Sequence, residues 1–324
     1  MFIAFLTSAV SGRWLIPIFR FFKTGIFEAR IGSRMVSDGT SPRFGGAVAL
    51  TGLLAGAAVY SVFPIVGGTY SLGWAVLAYI LLVFLIGFLQ DYIKQKLRRP
   101  AGIKLMHEVL YVWGVSFCFL LLLEANGAVT TSVLLPFRWG FLEMGLFYCP
   151  VISFVMTFVI CTFCVHDSFG GEEEYSTGGL TTVSVLLISL FFAVLGEGAS
   201  MLGYILAGAA AGLLIWELSP PKIYLGQSGQ MLFGAGFCAM AIISLREMLL
   251  IILPVSAIME FTAAFIRYFY YVKTKKVLLS GGSIHSHLKK KGYGDMFIIL
   301  LFIPLDAVGI ITGIMFMLYS FKLM

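Results

Sequence analysis

The chain has 324 residues, 60% of them hydrophobic and 12% charged, and a formal net charge of +6. A soluble domain is roughly half apolar and a quarter charged, so this composition excludes water as the only solvent. The five cysteines, Cys118, Cys149, Cys161, Cys164 and Cys238, fall almost wholly within apolar runs, so no disulfide framework is implied.

Apolar windows of about 20 residues predict about ten membrane spans. In chain order they are 1–22, 46–66, 70–90, 106–124, 142–165, 177–196, 200–217, 229–245, 248–270 and 296–319. The first run contains Arg13 and flows into a basic loop without a small-residue cleavage site, which reads as a retained helix and not a signal peptide. The fold class expected is an all-α polytopic membrane protein, with residues 1–324 forming a single integral membrane domain. Cys161 and Cys164 make a C-x-x-C on a hydrophobic helix, where packing is the plain reading.

Basic residues set the expected orientation. Arg20, Lys23, Arg30, Arg34 and Arg43 follow the first span; Lys94, Lys96, Arg98, Arg99 and Lys104 follow the third; Lys222 follows the seventh. Lys273, Lys275, Lys276, Lys289, Lys290 and Lys291 follow the ninth, whereas the alternate loops carry little beyond Arg138 and Arg246. The odd-numbered loops are therefore expected in the cytoplasm and both termini outside, in a multi-pass protein of the cell membrane. Topology alone accounts for these cations; attraction of phosphate-bearing ligands and anionic lipid head groups accounts for them equally well.

Each polar, glycine-rich cluster ends an odd-numbered span. They are Ser37 to Gly46, Gln90 to Lys94, His166 to Gly171 with Glu172, Glu173 and Glu174, Glu217 to Gly229, and Ser283 to His287. Glycines that admit close backbone approach, beside acids, lysines and histidines at one membrane face, suit a diphosphate and a divalent metal. A cytoplasmic, loop-built cleft is expected there.

The order of these clusters resembles the polyprenyl-phosphate phosphoglycosyl transferases, nearly end to end. Thr40-Ser41-Pro42-Arg43-Phe44-Gly45-Gly46 is similar to T-P-x-x-G-G with one extra residue, Gln90-Asp91-Tyr92-Ile93-Lys94 stands where the family has D-D-x-x-K, and Lys104 where it has a second lysine. Cys164 to Gly171 resembles N-x-x-D-G-x-D-G, and Pro221 to Gly229 resembles P-A-K-x-F-M-G-D-x-G. Ser283-Ile284-His285-Ser286-His287 and the residues to Asp295, with Glu260, are similar to the translocase I branch.

The resemblance implies transfer of a sugar 1-phosphate, phospho-N-acetylmuramoyl-pentapeptide in that branch, from a UDP-sugar to undecaprenyl phosphate, with release of UMP. It implies Asp91, Asp167, His285 and His287 as catalytic residues and Lys94, Lys104, Cys164, Tyr224 and Gln227 as substrate contacts. A Mg²⁺ ion is implied at Asp91 and Asp167, with Glu217 as a relocated ligand; a helix-end carboxylate paired with Lys222 is the other reading of Glu217. The partners expected are a UDP-sugar, a polyprenyl phosphate, membrane lipid and a second copy as a homodimer, with no nucleic acid.

The sequence departs from the pattern at several acids. Gln90 replaces the first acid of the pair, Gln227 the acid of the G-D loop, and Gly170 the second acid of D-G-x-D-G, while Ser286 replaces the middle histidine and Cys164 the asparagine. A neutral amide supplies an oxygen but no charge. Two functions therefore stay open, a working transferase and a relative that binds lipid phosphate, nucleotide or a cell-wall synthesis partner without turnover. A transporter or channel fits less well, because the polar residues gather at one face and not at the midplane.

Overall fold

The computed structural model describes residues 1–21, 41–62, 70–95, 97, 102–136, 140–167, 177–195, 198–218, 220–276 and 282–321. Helix dominates: α1 (Phe2–Phe21), α2 (Gly45–Val62), α3 (Tyr70–Gln95), α4 (Leu105–Ala125), α5 (Tyr148–Asp167), α6 (Leu180–Leu195) and α7 (Ser200–Glu217). There follow α8 (Gly226–Ile243), α9 (Leu249–Ile252), α10 (Val255–Thr274), α11 (Ile284–Lys290) and α12 (Asp295–Phe321). Between α4 and α5 a small antiparallel hairpin pairs β1 (Ser132–Leu134) with β2 (Phe141–Glu143), Val133 opposite Leu142. Six helices among the described residues are long and apolar enough to cross a bilayer, and α2 and α6 are shorter apolar helices. The protein is an all-α, multi-pass membrane protein.

Each expected span corresponds to a helix, with three boundary differences that matter. The ninth span is broken, α9 ending at Ile252 and α10 starting at Val255, because Pro254 has no N–H to continue the ladder. Helix α3 runs on to Gln95, five residues past the hydrophobic window, so Asp91 and Lys94 ride on its last turns. Helix α8 starts at Gly226, which puts Gln227 and Ser228 in its first turn.

Packing explains why polar first turns are tolerated. Helix α8 is covered on all sides, from Ser228 through Ile242, and lies against α2, α3, α5, α6 and α7. A helix that is apolar all round belongs in the interior of a bundle. Lipid gives little hydrophobic drive between helices, so close approach of small residues carries the association. On α7 a Cβ at Gly212 would stand 2.6 Å from the Phe5 carbonyl oxygen, and the Trp216 indole N–H donates to Ala9 O at 2.9 Å, fastening α1 along α7. Asp306, inside α12, accepts from Ser184 at 2.6 Å, the pairing within the bundle that its place in an apolar span predicts.

Candidate functional site

The site is drawn together by backbone pairing between two distant segments. Tyr224 N–H donates to Pro42 O, and the Gly45 and Gly46 N–H groups donate to Tyr224 O and Leu225 O, each at 2.9 Å. This contact needs bare α-carbons: a Cβ at Gly45 would meet Tyr224 O at 2.8 Å, and one at Gly87 would meet Gln227 O at 2.7 Å. The start of α8 is thereby set against α2 and the end of α3. Gly226 itself has φ +71, where a side chain is strained, and any Cβ there would press on Arg43 O and on Asp91.

Asp91 is buried and faces this helix start. Its two carboxylate oxygens accept the backbone N–H groups of Gln227 at 3.0 Å and Ser228 at 2.8 Å. These are two of the donors that a helix leaves without intrahelical partners, and the carboxylate also faces the positive end of the α8 dipole. Glu217, the last residue of α7, serves the same segment from the other side: it accepts Leu225 N–H at 2.9 Å and the Thr182 hydroxyl at 2.5 Å. Lys222 lies with its ammonium 5.1 Å from the Trp216 ring centre.

Glu108, buried in the first turn of α4, occupies the centre of the cluster. The Gln90 amide N–H group donates to Glu108 Oε2 at 2.6 Å, and the Gln227 amide donates to Glu108 Oε1. Gln90 Oε1 accepts Ile103 N–H at 2.6 Å, and Gln227 Oε1 accepts from the Lys94 ammonium at 3.0 Å. Both glutamines that stand in for family acids thus meet on one carboxylate. Half-buried Cys164, from α5, is within electrostatic reach of Glu108, Lys94 and Asp91.

A second cluster lies across the end of α5. His285 is buried on α11, its Nδ1 2.9 Å from the Ser283 hydroxyl and 3.4 Å from Glu260 Oε1, while Ser286 Oγ stands 3.2 Å from its Nε2. Glu260 also accepts the Ile284 and His285 N–H groups, each at 2.9 Å, so one α10 carboxylate ties down the start of α11. His166 on α5 belongs to the same neighbourhood, its Nδ1 3.2 Å from the Thr181 hydroxyl and its ring 6.0 Å from that of Phe302.

The remaining expected residues are placed as follows. Lys104 is exposed just before α4, where its carbonyl accepts the His107 and Glu108 N–H groups. Tyr224 is buried beneath the Arg43 guanidinium, 5.6 Å from its ring centre, and burial pushes its hydroxyl up to about 12. Partial burial, then Lys291 and Lys290, hold the His287 imidazole below its usual value and so favour its neutral form. Asp167 ends α5, but its side chain lies outside the described residues, as do Ser37 to Thr40, Gly170 and Glu172 to Glu174.

The structure therefore joins Asp91, Lys94 and Gln227 in one cluster with Cys164 in electrostatic reach, sets Glu217 against the same turn, and places His285 in the neighbouring cluster. Glu108 was not among the expected site residues. The signal for it was an acid within an apolar span, a placement that by default marks a function or a buried partner. Among the described residues, no group of three His, Cys, Asp or Glu could hold a metal ion.

The profile of glycosyl transferase family 4 matches residues 73–245, which span α3 to α8 and so carry the Glu108 cluster. The chain is similar to the phospho-N-acetylmuramoyl-pentapeptide-transferase of Desulfitobacterium hafniense, 25% identical over 312 residues that cover 93% of this chain and 91% of that protein. It is likewise similar to the proteins of that name from Pelotomaculum thermopropionicum, 25% identical with 96% and 95% covered, and Clostridioides difficile, 23% identical with 93% and 91% covered.

Proposed function

This chain belongs to glycosyl transferase family 4, and from that premise we propose that it transfers a sugar 1-phosphate from a UDP-sugar to a polyprenyl phosphate. The group transferred is phospho-N-acetylmuramoyl-pentapeptide and the acceptor undecaprenyl phosphate, in cell-wall lipid synthesis. The site faces the cytoplasm from the cell membrane, with both termini outside. The observation that supports this reading is the convergence of Asp91, Lys94, Glu108 and Gln227, from three separate helices, at the polar end of the bundle.

In this reaction an oxygen of the lipid phosphate attacks the β-phosphorus of the UDP-sugar. A new phosphorus–oxygen bond forms, the bond from the β-phosphorus to the bridging oxygen breaks, and UMP leaves with that oxygen. Charge on the transferring phosphoryl group must be met by fixed cations and donors. Lys94 is held in place by Gln227 for that task, and Lys104 is exposed at the start of α4. Tyr224, with the Arg43 guanidinium over its ring, lines the side expected for the uridine, and neutral His287 takes the remaining proton of the lipid phosphate as its oxygen attacks. The residues described around Asp91 do not suit a Mg²⁺ ion, because the facing amides present N–H groups, so no step is routed through one.

A second reading, binding without turnover, is favoured by the closed hydrogen-bond chain through Gln90, Glu108, Gln227 and Lys94. The two are separated by UMP release from UDP-N-acetylmuramoyl-pentapeptide with undecaprenyl phosphate, using the full chain in detergent. Release that Lys94→Ala abolishes is the expected result. No release from protein that still binds the UDP-sugar or the lipid would replace the transferase with the binding relative.

A further inference from the structure

Glu108 carries an inference that rests on the proposed function only for the identity of the ligand. A glutamine amide can face a neighbour with its oxygen or its N–H₂ group, and the network decides which. Reversing Gln90 would turn its oxygen on the Glu108 carboxylate and its N–H₂ on Ile103 N–H, two repulsive contacts in place of two hydrogen bonds. Reversing Gln227 would set its oxygen against Glu108 and its N–H₂ against the Lys94 ammonium. Both amides are thus fixed with donors inward.

A divalent cation needs oxygen ligands aimed at it, and this cluster aims hydrogen instead. Reaching Glu108 would require both amides to turn and Lys94 to give up Gln227. Reaching Asp91 would require a cation to sit beside the α8 N-terminus, whose N–H groups and dipole already oppose positive charge. The positive charge of the cluster is supplied by Lys94.

We infer that Glu108 is the positioning residue of this site, holding both glutamines and through Gln227 the Lys94 ammonium, and that the Asp91 end of the cleft binds its nucleotide without a divalent cation. The family's metal position has become a hydrogen-bonded acid, two amides and a lysine.

The test pairs two readings on the full chain in detergent: Mn²⁺ titration followed by electron paramagnetic resonance, and UDP binding by calorimetry with Mg²⁺ or with EDTA. The expected result is no stoichiometric Mn²⁺ that Glu108→Gln releases, and UDP affinity equal within about twofold in the two buffers. The isosteric double variant Gln90→Glu with Gln227→Glu turns both donors into acceptors and is expected to gain Mn²⁺ affinity by about tenfold or more, with folding checked by its elution profile. Mn²⁺ bound to the wild type and lost in Glu108→Gln, UDP binding that needs Mg²⁺, or no gain in the folded double variant would each overturn the inference. If UDP binds in neither buffer while the double variant gains Mn²⁺, the proposed function fails and the role of Glu108 stands.

Discussion

The two ends of α8 each hold buried acids, and they treat them differently. At its start, Asp91 and Glu108 each have both oxygens answered, by backbone N–H groups in one case and side-chain amides in the other, with Lys94 alongside. Past its far end, Glu247 accepts the Tyr148 hydroxyl at 2.8 Å through Oε1, while Oε2 has no hydrogen-bond partner among the described residues. Burial disfavours the charge on all three carboxyls, and the N–H donors oppose that effect at both oxygens of Asp91 and Glu108, whereas the Tyr148 hydroxyl opposes it at one oxygen of Glu247. One end gathers donors around two acids and the other braces the α8–α9 turn against α5.

The largest effect on this contrast is expected from Asp91→Ala. It strands two buried backbone donors at the head of the central helix, at a cost of about 2–4 kcal/mol, whereas Asp91→Asn keeps one acceptor and costs less. Thermal unfolding in detergent measures both; equal losses would show that α8 does not depend on the carboxylate. Gly226→Ala should follow, at about 1–2 kcal/mol, because an alanine at φ +71 is strained and its Cβ meets Arg43 O and Asp91. An unchanged unfolding temperature there would mean that the turn rearranges freely.

The smallest effect belongs to the far end and appears as a pH dependence. Burial holds the Glu247 carboxyl above the usual carboxylate range. The folded chain thus binds that proton more tightly than the unfolded chain does, so the stabilisation is complete below about pH 4, the unfolded value. It is lost as pH rises through the folded value. Wild type should therefore lose stability relative to Glu247→Gln between acidic and neutral pH; a constant difference between the two would refute the assignment.

Much of the fold was legible because hydropathy windows detect the length that a bilayer demands. Each expected span has its helix, and the break at Pro254 was written in a residue with no N–H to give. The ends were less legible. Windows stop where polarity begins, yet Asp91, Lys94 and Gln227 continue their helices because partners on other helices satisfy them. Gln90 and Gln227 stood out as departures from a family pattern, but their meeting on Glu108 joins positions 90, 108 and 227, which no local pattern relates. The acid at position 108 within an apolar run was the single clue in the sequence, and it says that a partner is needed without saying which.

The full enclosure of α8 also bears on how the chain is assembled during synthesis. With Gln227, Ser228 and Gln230 near its start, this helix is a poor lodger in lipid by itself, and its main neighbours α2, α3, α5, α6 and α7 all leave the ribosome before it. It arrives into a slot already lined, where Asp91 and Glu108 wait for its first turn. Insertion of α8 is thus the step at which the polar end of the bundle closes, and a ribosome stalled before Gly226 would leave those acids without the amide groups that keep them.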